Sequence, residues 1–504
     1  MVSSKGRKTL PLQMQWCLNT ALIVFVLFCL ASSSAFAACH AVSVSGAGSA
    51  NGTSWSNAYA GIPGTLMRGD TYYFADGKYG AYTFSQADSG TTVITFQKAQ
   101  SYNYGRTSDG CSNDISAGWN ASTMGAAQAI FTSTGRAFSV TADYLTVNGN
   151  GTTTGPLCGG SPGSTVTAEP ATPSDCGFSF VGAGGTTSGA LNLIYFYGAT
   201  NLTLKYVELI GSGTNNISGS GGFEVFAANN TNYFTLTHAY AHNSGCVYIQ
   251  DVGSNSLVDH SYFWGTEVYG APGSSPCHGQ AEFEGSSVNN GVRSNNVYRD
   301  ITGSAVWTFA YPAGVNNNWQ FYNNVIYYSS PQNTFGGVTD GILGCFNTGV
   351  QCTNFTLLQN TIVNNLTNDA FGGPSFAGID DENGNGSYIV ENNLWYSNPS
   401  TNLAFCCSGT TYKEDYNSFL NSPTPGTGSH DVKVASGAPN PFVNWAGGNF
   451  NLASDNANWN GRTSLGSSQT VDVNGNTFTT DRGPYQYNGA QGPQSPTGLT
   501  AVVK

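Results

Sequence analysis

The sequence predicts an all-β chain wound into a parallel β-helix, a solenoid with a short N-terminal cap, and three observations carry that expectation. First, only 9% of the 504 residues are charged, 65 are glycine and 13% are aromatic. Apolar periodicity at 3.6 residues is nearly absent, whereas β-branched and aromatic residues alternate with small polar ones in short runs. Second, a unit of one polar residue, an aliphatic or aromatic pair and a turn recurs as "LKYVELIGSG", "THAYAHNSG", "DHSYFWGTE", "NNVYRDITG", "NNVIYYSS", "QNTIVNNL" and "NNLWYSN". Aligned on Lys205, His238, His260, Asn296, Asn324, Asn360 and Asn393, the units are spaced by 33, 22, 36, 28, 36 and 33 residues. Periods of this size mean stacked modules, and strands of four to seven residues without propeller signatures make each period one solenoid coil. Third, four of the aligned residues are Asn. Equivalent positions of successive coils stack about 4.8 Å apart, so a turn amide can donate to one neighbour and accept from the other.

Along the chain, Lys5, Arg7 and Lys8 precede the apolar run "ALIVFVLFCLA" (21–31) and the small-residue end "AFA" (35–37). That layout is a secretory signal over 1–37, cleaved after Ala37, and no later run is long enough to span a membrane. The expected product is an exported monomer, free of membrane attachment beyond the signal. Removing the signal leaves ten of the 12 cysteines, an even number that suggests disulfides in an oxidising compartment. Proximity suggests Cys158–Cys176, Cys246–Cys277, Cys345–Cys352 and Cys406–Cys407, leaving Cys39 and Cys111. Residues 54–68 are expected to form a short helix capping the first coil. Residues 152–189, rich in Gly, Ser, Thr and Pro, read as a stapled loop. The β-helix domain is expected over 38–488, followed by a Pro/Gly linker-like tail at 489–504.

The stretches "GDTYYFADGKYGAYTFSQ" (69–86), the "NN-aliphatic-Tyr" coils and "FVNWAGGNFNLASD…DVNGNTFTTDRGPYQY" (442–487) carry a family likeness. Over residues 40–487 the chain resembles secreted bacterial right-handed β-helix proteins of the pectin-lyase-like superfamily. The resemblance implies a right-handed helix and an extracellular, carbohydrate-active protein. It does not choose the reaction, because that superfamily spans lyases, hydrolases, epimerases, esterases and non-enzymatic adhesins.

A net charge of −12 argues against nucleic acid as partner. It also means that a polyanionic glycan needs a local cation. Residues 238–300 hold His238, His242, His260 and His278, the cations Arg293 and Arg299, and several carboxylates, making this window the first candidate site. His238 and His260, at the ladder position, are expected to be a stacked structural pair, and His242 sits in the turn beyond.

Within "CHGQAEFEG" (277–285) the polar His278, Gln280, Glu282 and Glu284 share one parity. On a strand they are expected to face outward, with Gly279, Ala281 and Phe283 toward the core. The related strands "GCVYIQD", "SAVWTFA", "ILGCFN" and "AGIDDEN" are expected to stack beside it. Tyr248, Gln250, Glu282, Glu284, Trp307 and Asp380 would then form a strip of acids and rings suited to polysaccharide.

Two reactions fit such a strip. An inverting hydrolase needs carboxyls roughly 6.5–9.5 Å apart, which positions i and i+2 of a strand supply, here Glu282 and Glu284. A lyase needs a base, here His242, His278, Arg293 or Arg299, and a neutraliser of the uronate carboxylate such as Gln280 or a calcium ion. A non-catalytic glycan-binding or adhesin-like solenoid is the reading from another class. Neither the paired-Asp pattern of polygalacturonases nor an Asp cluster of the pectate-lyase kind is present. "DDENGNG" (380–386) sets Asp381, Asn383 and Asn385 at calcium-loop spacing, against the alternative of a plain Asn-Gly turn.

Overall fold

The computed structural model describes residues 37–487 apart from 134, 150–175, 183–192, 212–222, 229–230, 245–246, 267–279, 286, 302–304, 329–340, 366–374, 399–401, 407–408, 423–426, 464–471 and 473–475. The expected signal, apart from Ala37, and the expected tail lie outside these residues. So do His278, Cys158, Cys246, Cys277 and Cys407, and the side chain of Cys406.

The chain is a parallel β-helix. Three long sheets of 13, 12 and 10 strands, called A, B and C here, are built by strands that recur in the order C, A, B. One coil runs Val247–Gln250 in sheet C, Leu257–Asp259 in sheet A and Tyr262–Thr266 in sheet B. The next runs Glu282–Glu284, Val292–Ser294 and Val297–Arg299, in parallel register with the first. Side chains from all three sheets meet in one aromatic and aliphatic core containing Phe74, Phe96, Phe131, Phe178, Phe263 and Trp307. Each coil is too thin to bury its own apolar face, so stacking supplies the burial that a lone coil lacks.

The corner between sheets A and B is a single residue in the left-handed region. Tyr206, His238, His260, Asn295, Asn323, Gln359, Asn392 and Tyr416 occupy it, with φ between 47° and 60°. Non-glycine residues adopt this conformation rarely, Asn and His more readily than most. Immediately after the corner runs the Asn ladder. The backbone N–H groups of Asn296, Asn324, Asn360 and Asn393 donate to the side-chain oxygens of Asn324, Asn360, Asn393 and Asn417, at 2.9–3.1 Å. Each amide nitrogen donates to a backbone carbonyl of the previous coil, as Asn360 does to Phe321 at 2.9 Å. Asp431 accepts from the Asn417 N–H at 2.8 Å and ends the ladder.

The ladder corrects the repeat alignment in its first three members. His238 and His260 stand at the corner, one residue before the ladder position, which is held in their coils by Ala239 and Ser261. Lys205 lies one further residue back, on sheet A in register with Thr237 and Asp259. The His pair is nonetheless stacked as expected, rings 4.9 Å apart and 2° from parallel, with Tyr206 against His238 on the preceding coil.

The N-terminal cap is not the expected helix over 54–68. Trp55–Asn57 forms one 3-10 turn, and Tyr59–Ala60 pairs with Cys39–Ser43 at the edge of sheet A. Apolar residues before Gly69 cover that edge by strand addition and by packing Trp55 against Ile115 and Cys111. Cys39 and Cys111 form a disulfide, as do Cys345 and Cys352, and Cys176 is disulfide-bonded. At the other end, the described residues of 438–487 lie across the outer face of sheet B, burying Phe442, Phe450, Trp459 and Tyr485 against Tyr327, Val363, Tyr396 and Leu420.

Candidate functional site

The strands expected to stack beside "CHGQAEFEG" do so, as sheet C. Their parity is the reverse of the expectation. Ile249, Glu282, Trp307, Leu343 and Ile379 share one register row, and all are buried. Gln250, Phe283, Thr308, Gly344 and Asp380 form the adjoining outward row. Glu282 and Glu284 therefore point into the solenoid at 2% and 1% exposure, while Phe283 points out. Gln280 is buried, as are Tyr248, its ring against Phe263, and Trp307, its ring against Phe321. Of the expected strip, Gln250 and Asp380 remain on the surface.

The physical reason lies on sheet A. Arg293 occupies its inward row, between Val258 and Phe321, and its guanidinium reaches across the core. Its Nε donates to Glu282 Oε2, Nη2 lies 3.6 Å from Glu284, Nη1 donates to Ser256, and the group sits 4.7 Å over Trp319. Tyr298 donates to the other Glu282 oxygen at 3.1 Å. One cation faces two carboxyls in a dry interior, so only one carboxylate is neutralised. Burial raises Glu284 well above the usual carboxyl range, outweighing the pull of Arg293, and nearby Asp251 and Glu282 push the same way. Glu284 is thus a neutral acid beside a Glu282–Arg293 ion pair. This is a core network with no access for a substrate. The i, i+2 geometry that suits hydrolysis exists, on the wrong side of the strand.

His242 and Arg299 lie elsewhere, on the outer face of sheet B. Ile210, His242, Trp264, Arg299 and Tyr327 follow one another in register on successive coils. Counted from the corner residues His238, His260 and Asn295, each of His242, Trp264 and Arg299 is the fourth residue along. Beside the file, in the outward row that continues through Tyr240, Glu208 is fully buried and accepts from His242 Nε2 at 3.0 Å and from Gln128 Nε2 at 2.7 Å. The His242 ring also stacks on Tyr240, with centroids 4.4 Å apart. A carboxylate on Nε2 fixes the proton there and leaves Nδ1 as the basic nitrogen.

Arg299 lies 4.8 Å over the Trp264 ring, pairs with Asp300 at 3.2 Å, and keeps 22% of its side chain exposed. Burial draws its pKa down, but the hydrogen bond with Tyr262 and the fields of Tyr327, Tyr262 and Asp300 outweigh it, so the net shift is upward. It stays cationic. The face thus offers an oriented imidazole, a partly buried indole and a fixed cation. Glu208, Trp264 and Tyr240 were not among the residues expected from sequence. The signal that could have found them is the offset from the corner, visible only once corner and ladder are separated.

The remaining candidates fall apart. His238 bonds Thr237 at 2.9 Å and His260 bonds Asp259 at 3.0 Å, both at the A–B corner. Burial first, then the His260 charge, lowers the His238 pKa to about 4, so it is a neutral corner residue. Asp381 is fully buried, accepting from Gly386 N at 2.6 Å and Thr410 Oγ1 at 2.9 Å. Asn383 donates to the carbonyls of Asn347 and Val350, and Asn385 is exposed. Asp381 and Asn383 brace a turn between coils while Asn385 faces solvent, so the three do not converge on a common point, which corrects the calcium-loop reading. Among the described residues, no group of three or more His, Cys, Asp and Glu side chains could hold a metal ion.

No family model matches the chain, and no curated protein matches it. Among solved structures, pectate lyase Pel9A aligns over 91% of this chain and 92% of its own, at 12% identity and a TM-score of 0.42. A mannuronic acid-specific polysaccharide family 6 lyase from human gut microbiota aligns over 75% and 79%, at 12% identity and a TM-score of 0.38. A GH136 lacto-N-biosidase from Eubacterium ramulus aligns over 76% and 68%, at 9% identity and a TM-score of 0.36.

Proposed function

We propose that the protein is an exported carbohydrate-active β-helix that cleaves a uronate-containing polysaccharide by β-elimination on the outer face of sheet B. The observation that carries this reading is the file His242–Trp264–Arg299 with Glu208 beside the imidazole. A sugar ring packs its C–H groups on the part of the indole that Arg299 does not cover. Its carboxylate meets the Arg299 guanidinium, which acidifies the adjacent carbon. His242 Nδ1 takes the proton from that carbon, and the released electron pair forms a C=C bond as the C–O bond to the departing sugar breaks. The departing oxygen is reprotonated by the imidazolium or by water. In a chain of net charge −12, one fixed cation at the site is the local attraction that a polyanion needs. Disulfides at Cys39–Cys111 and Cys345–Cys352 fit an oxidising, extracellular setting.

The test is a panel of polyuronates and neutral glycans, followed by ultraviolet absorbance of unsaturated ends and by total reducing ends. Both signals are expected to rise on a polyuronate and to be lost in His242→Ala and Arg299→Ala. Reducing ends without absorbance would replace elimination by hydrolysis. No cleavage, with glycan retention intact, would leave a binding solenoid. That second reading has its own observation: the outward row of sheet C carries Gln250, Phe283 and Asp380, with Tyr311 64% exposed and its ring 6.4 Å from Phe283.

A further inference from the structure

The file on sheet B is partly exposed from Ile210 to Arg299 and then walled. Toward the C-terminus the next outward residue after Arg299 is Tyr327, which is 2% exposed because the Phe450 ring packs 4.8 Å from it. Phe450 belongs to the antiparallel pair Phe442–Asn444 and Asn449–Leu452, laid across the sheet. This hairpin is seated firmly. Phe450 packs on Phe442 at 5.6 Å and Phe442 on Tyr396 at 6.2 Å, and the next outward positions, Val363, Tyr396 and Leu420, are buried in the same cluster. The Tyr327 hydroxyl is also held, 3.1 Å from that of Tyr262.

We infer that this hairpin makes the face act at chain ends, so that the enzyme releases short products from a polyuronate terminus instead of cutting within the chain. From His242 to Arg299 the file covers two coil steps, about 10 Å, room for about two pyranose rings. A longer chain laid along the file cannot continue past Arg299, because the Tyr327–Phe450 contact fills the path. The carboxylate on Arg299 therefore belongs to a residue at or next to the terminus. The inference rests on the elimination reading above, and it adds which bond of the polymer is reached.

The test uses the full-length protein on sodium polygalacturonate and sodium polymannuronate, following unsaturated ends, viscosity and product length together. An end-acting enzyme gives mono- to trimeric unsaturated products from the first minutes, with viscosity falling only in proportion to mass released. Phe450→Ala, which lowers the wall, is expected to raise the share of products longer than trimers at least fivefold at equal turnover. A ladder of intermediate oligomers and an early viscosity collapse in the unaltered protein would overturn the inference while leaving elimination standing. Absence of unsaturated product from every polyuronate would instead remove the elimination reading. The unaltered protein alone decides both points, so misfolding of Phe450→Ala leaves the test intact.

Discussion

The interior Glu282–Arg293–Glu284 network makes a prediction in which two adjacent glutamates behave oppositely. Arg293 is fully buried and Glu282 is 2% exposed, so their attraction acts in a weak dielectric and neither charge can be solvated if the other is removed. Removing one partner of such a pair typically costs about 3–5 kcal/mol. Glu282→Gln should fall near the low end, about 3 kcal/mol, because Glu284 is 3.6 Å from Arg293 and can take over as counter-ion by ionising. Arg293→Met should sit at the upper end, since it strands a carboxylate and strips the cation from the Trp319 face. Glu284→Gln exchanges a neutral acid for a neutral amide of the same shape and should cost less than about 1 kcal/mol.

The assay is the urea midpoint of each variant followed by tryptophan fluorescence, for which Trp307 and Trp319 lie close to the network. Solenoids can open locally, so amide exchange of the strands carrying residues 282–284 and 292–294 supplies the local reading. The double change Arg293→Met with Glu282→Leu removes both charges and should recover most of the loss, giving a coupling energy of several kcal/mol. A Glu284→Gln loss as large as that of Glu282→Gln would refute the protonation assignment. Unchanged midpoints in both variants with activity abolished would refute the buried network itself and return the pair to catalysis.

Three further outcomes are expected. Asn360→Ala in the middle of the ladder deprives Asn324 of its side-chain acceptor and leaves the Phe321 carbonyl bare, costing about 1–3 kcal/mol in a thermal or urea melt. Two groups give stability opposite slopes with pH between about 4 and 8. His238 is neutral until about pH 4, whereas unfolded His takes its proton near pH 6.5, so stability is lost as pH falls through that window, by about 3 kcal/mol in full, and His238→Asn should flatten the acid limb. Glu414 is raised to about 8, by burial first and then by its hydrogen bond and repulsion with Asp431. Its folded form therefore holds a proton that the unfolded form releases near pH 4.5, and stability falls as pH rises toward 8, by on the order of 2 kcal/mol after solvent screening. Glu208→Gln should lower kcat about 10–100-fold with KM little changed, because an amide holds the imidazole proton on Nε2 less firmly than a carboxylate does. A purely structural Glu208 would lower the melting point and leave kcat unchanged where the variant is folded.

The coils and the ladder were legible because they repeat. An amide at Asn296, Asn324, Asn360 and Asn393 solves the same hydrogen-bonding problem in every coil, and the solution leaves a periodic trace. Parity in "CHGQAEFEG" was not legible, because alternation shows that a strand has two faces without showing which is inside. Here the outcome turned on a residue in another sheet. Arg293, eleven residues from Glu282, brings a cation into the core and draws the carboxylates inward, and Phe283 is displaced to the surface. Hydrophobicity alone assigns Phe283 to the core and the glutamates to water, the usual result when a buried counter-charge goes unrecognised. The corner histidines illustrate a smaller form of the same problem. His238 and His260 align with Asn residues by type and repeat, yet their left-handed φ puts them at the neighbouring position. A shift of one residue changes the face on which every following side chain emerges.

That one-residue shift also separates the candidate site from its background. With His238, His260 and Asn295 as origins, His242, Trp264 and Arg299 fall at a common offset and stand on three adjacent coils. With the mixed origins His238, His260 and Asn296 of the sequence alignment, the offsets are unequal. A β-helix converts equal offsets into spatial neighbours about 4.8 Å apart, so a functional file must be sought among residues equidistant from the corner, whatever their spacing in sequence. The scarcity of charge sharpens the choice. Only 9% of residues are charged, and among the described carboxylates along residues 208–300, Glu208 is the one fully buried against an outward imidazole. Glu282 and Glu284 are buried behind nothing that a solvent-borne chain can reach. A carboxylate sealed from water can still act at the surface when a titratable group relays its effect, and in the proposed reaction His242 is that relay on sheet B.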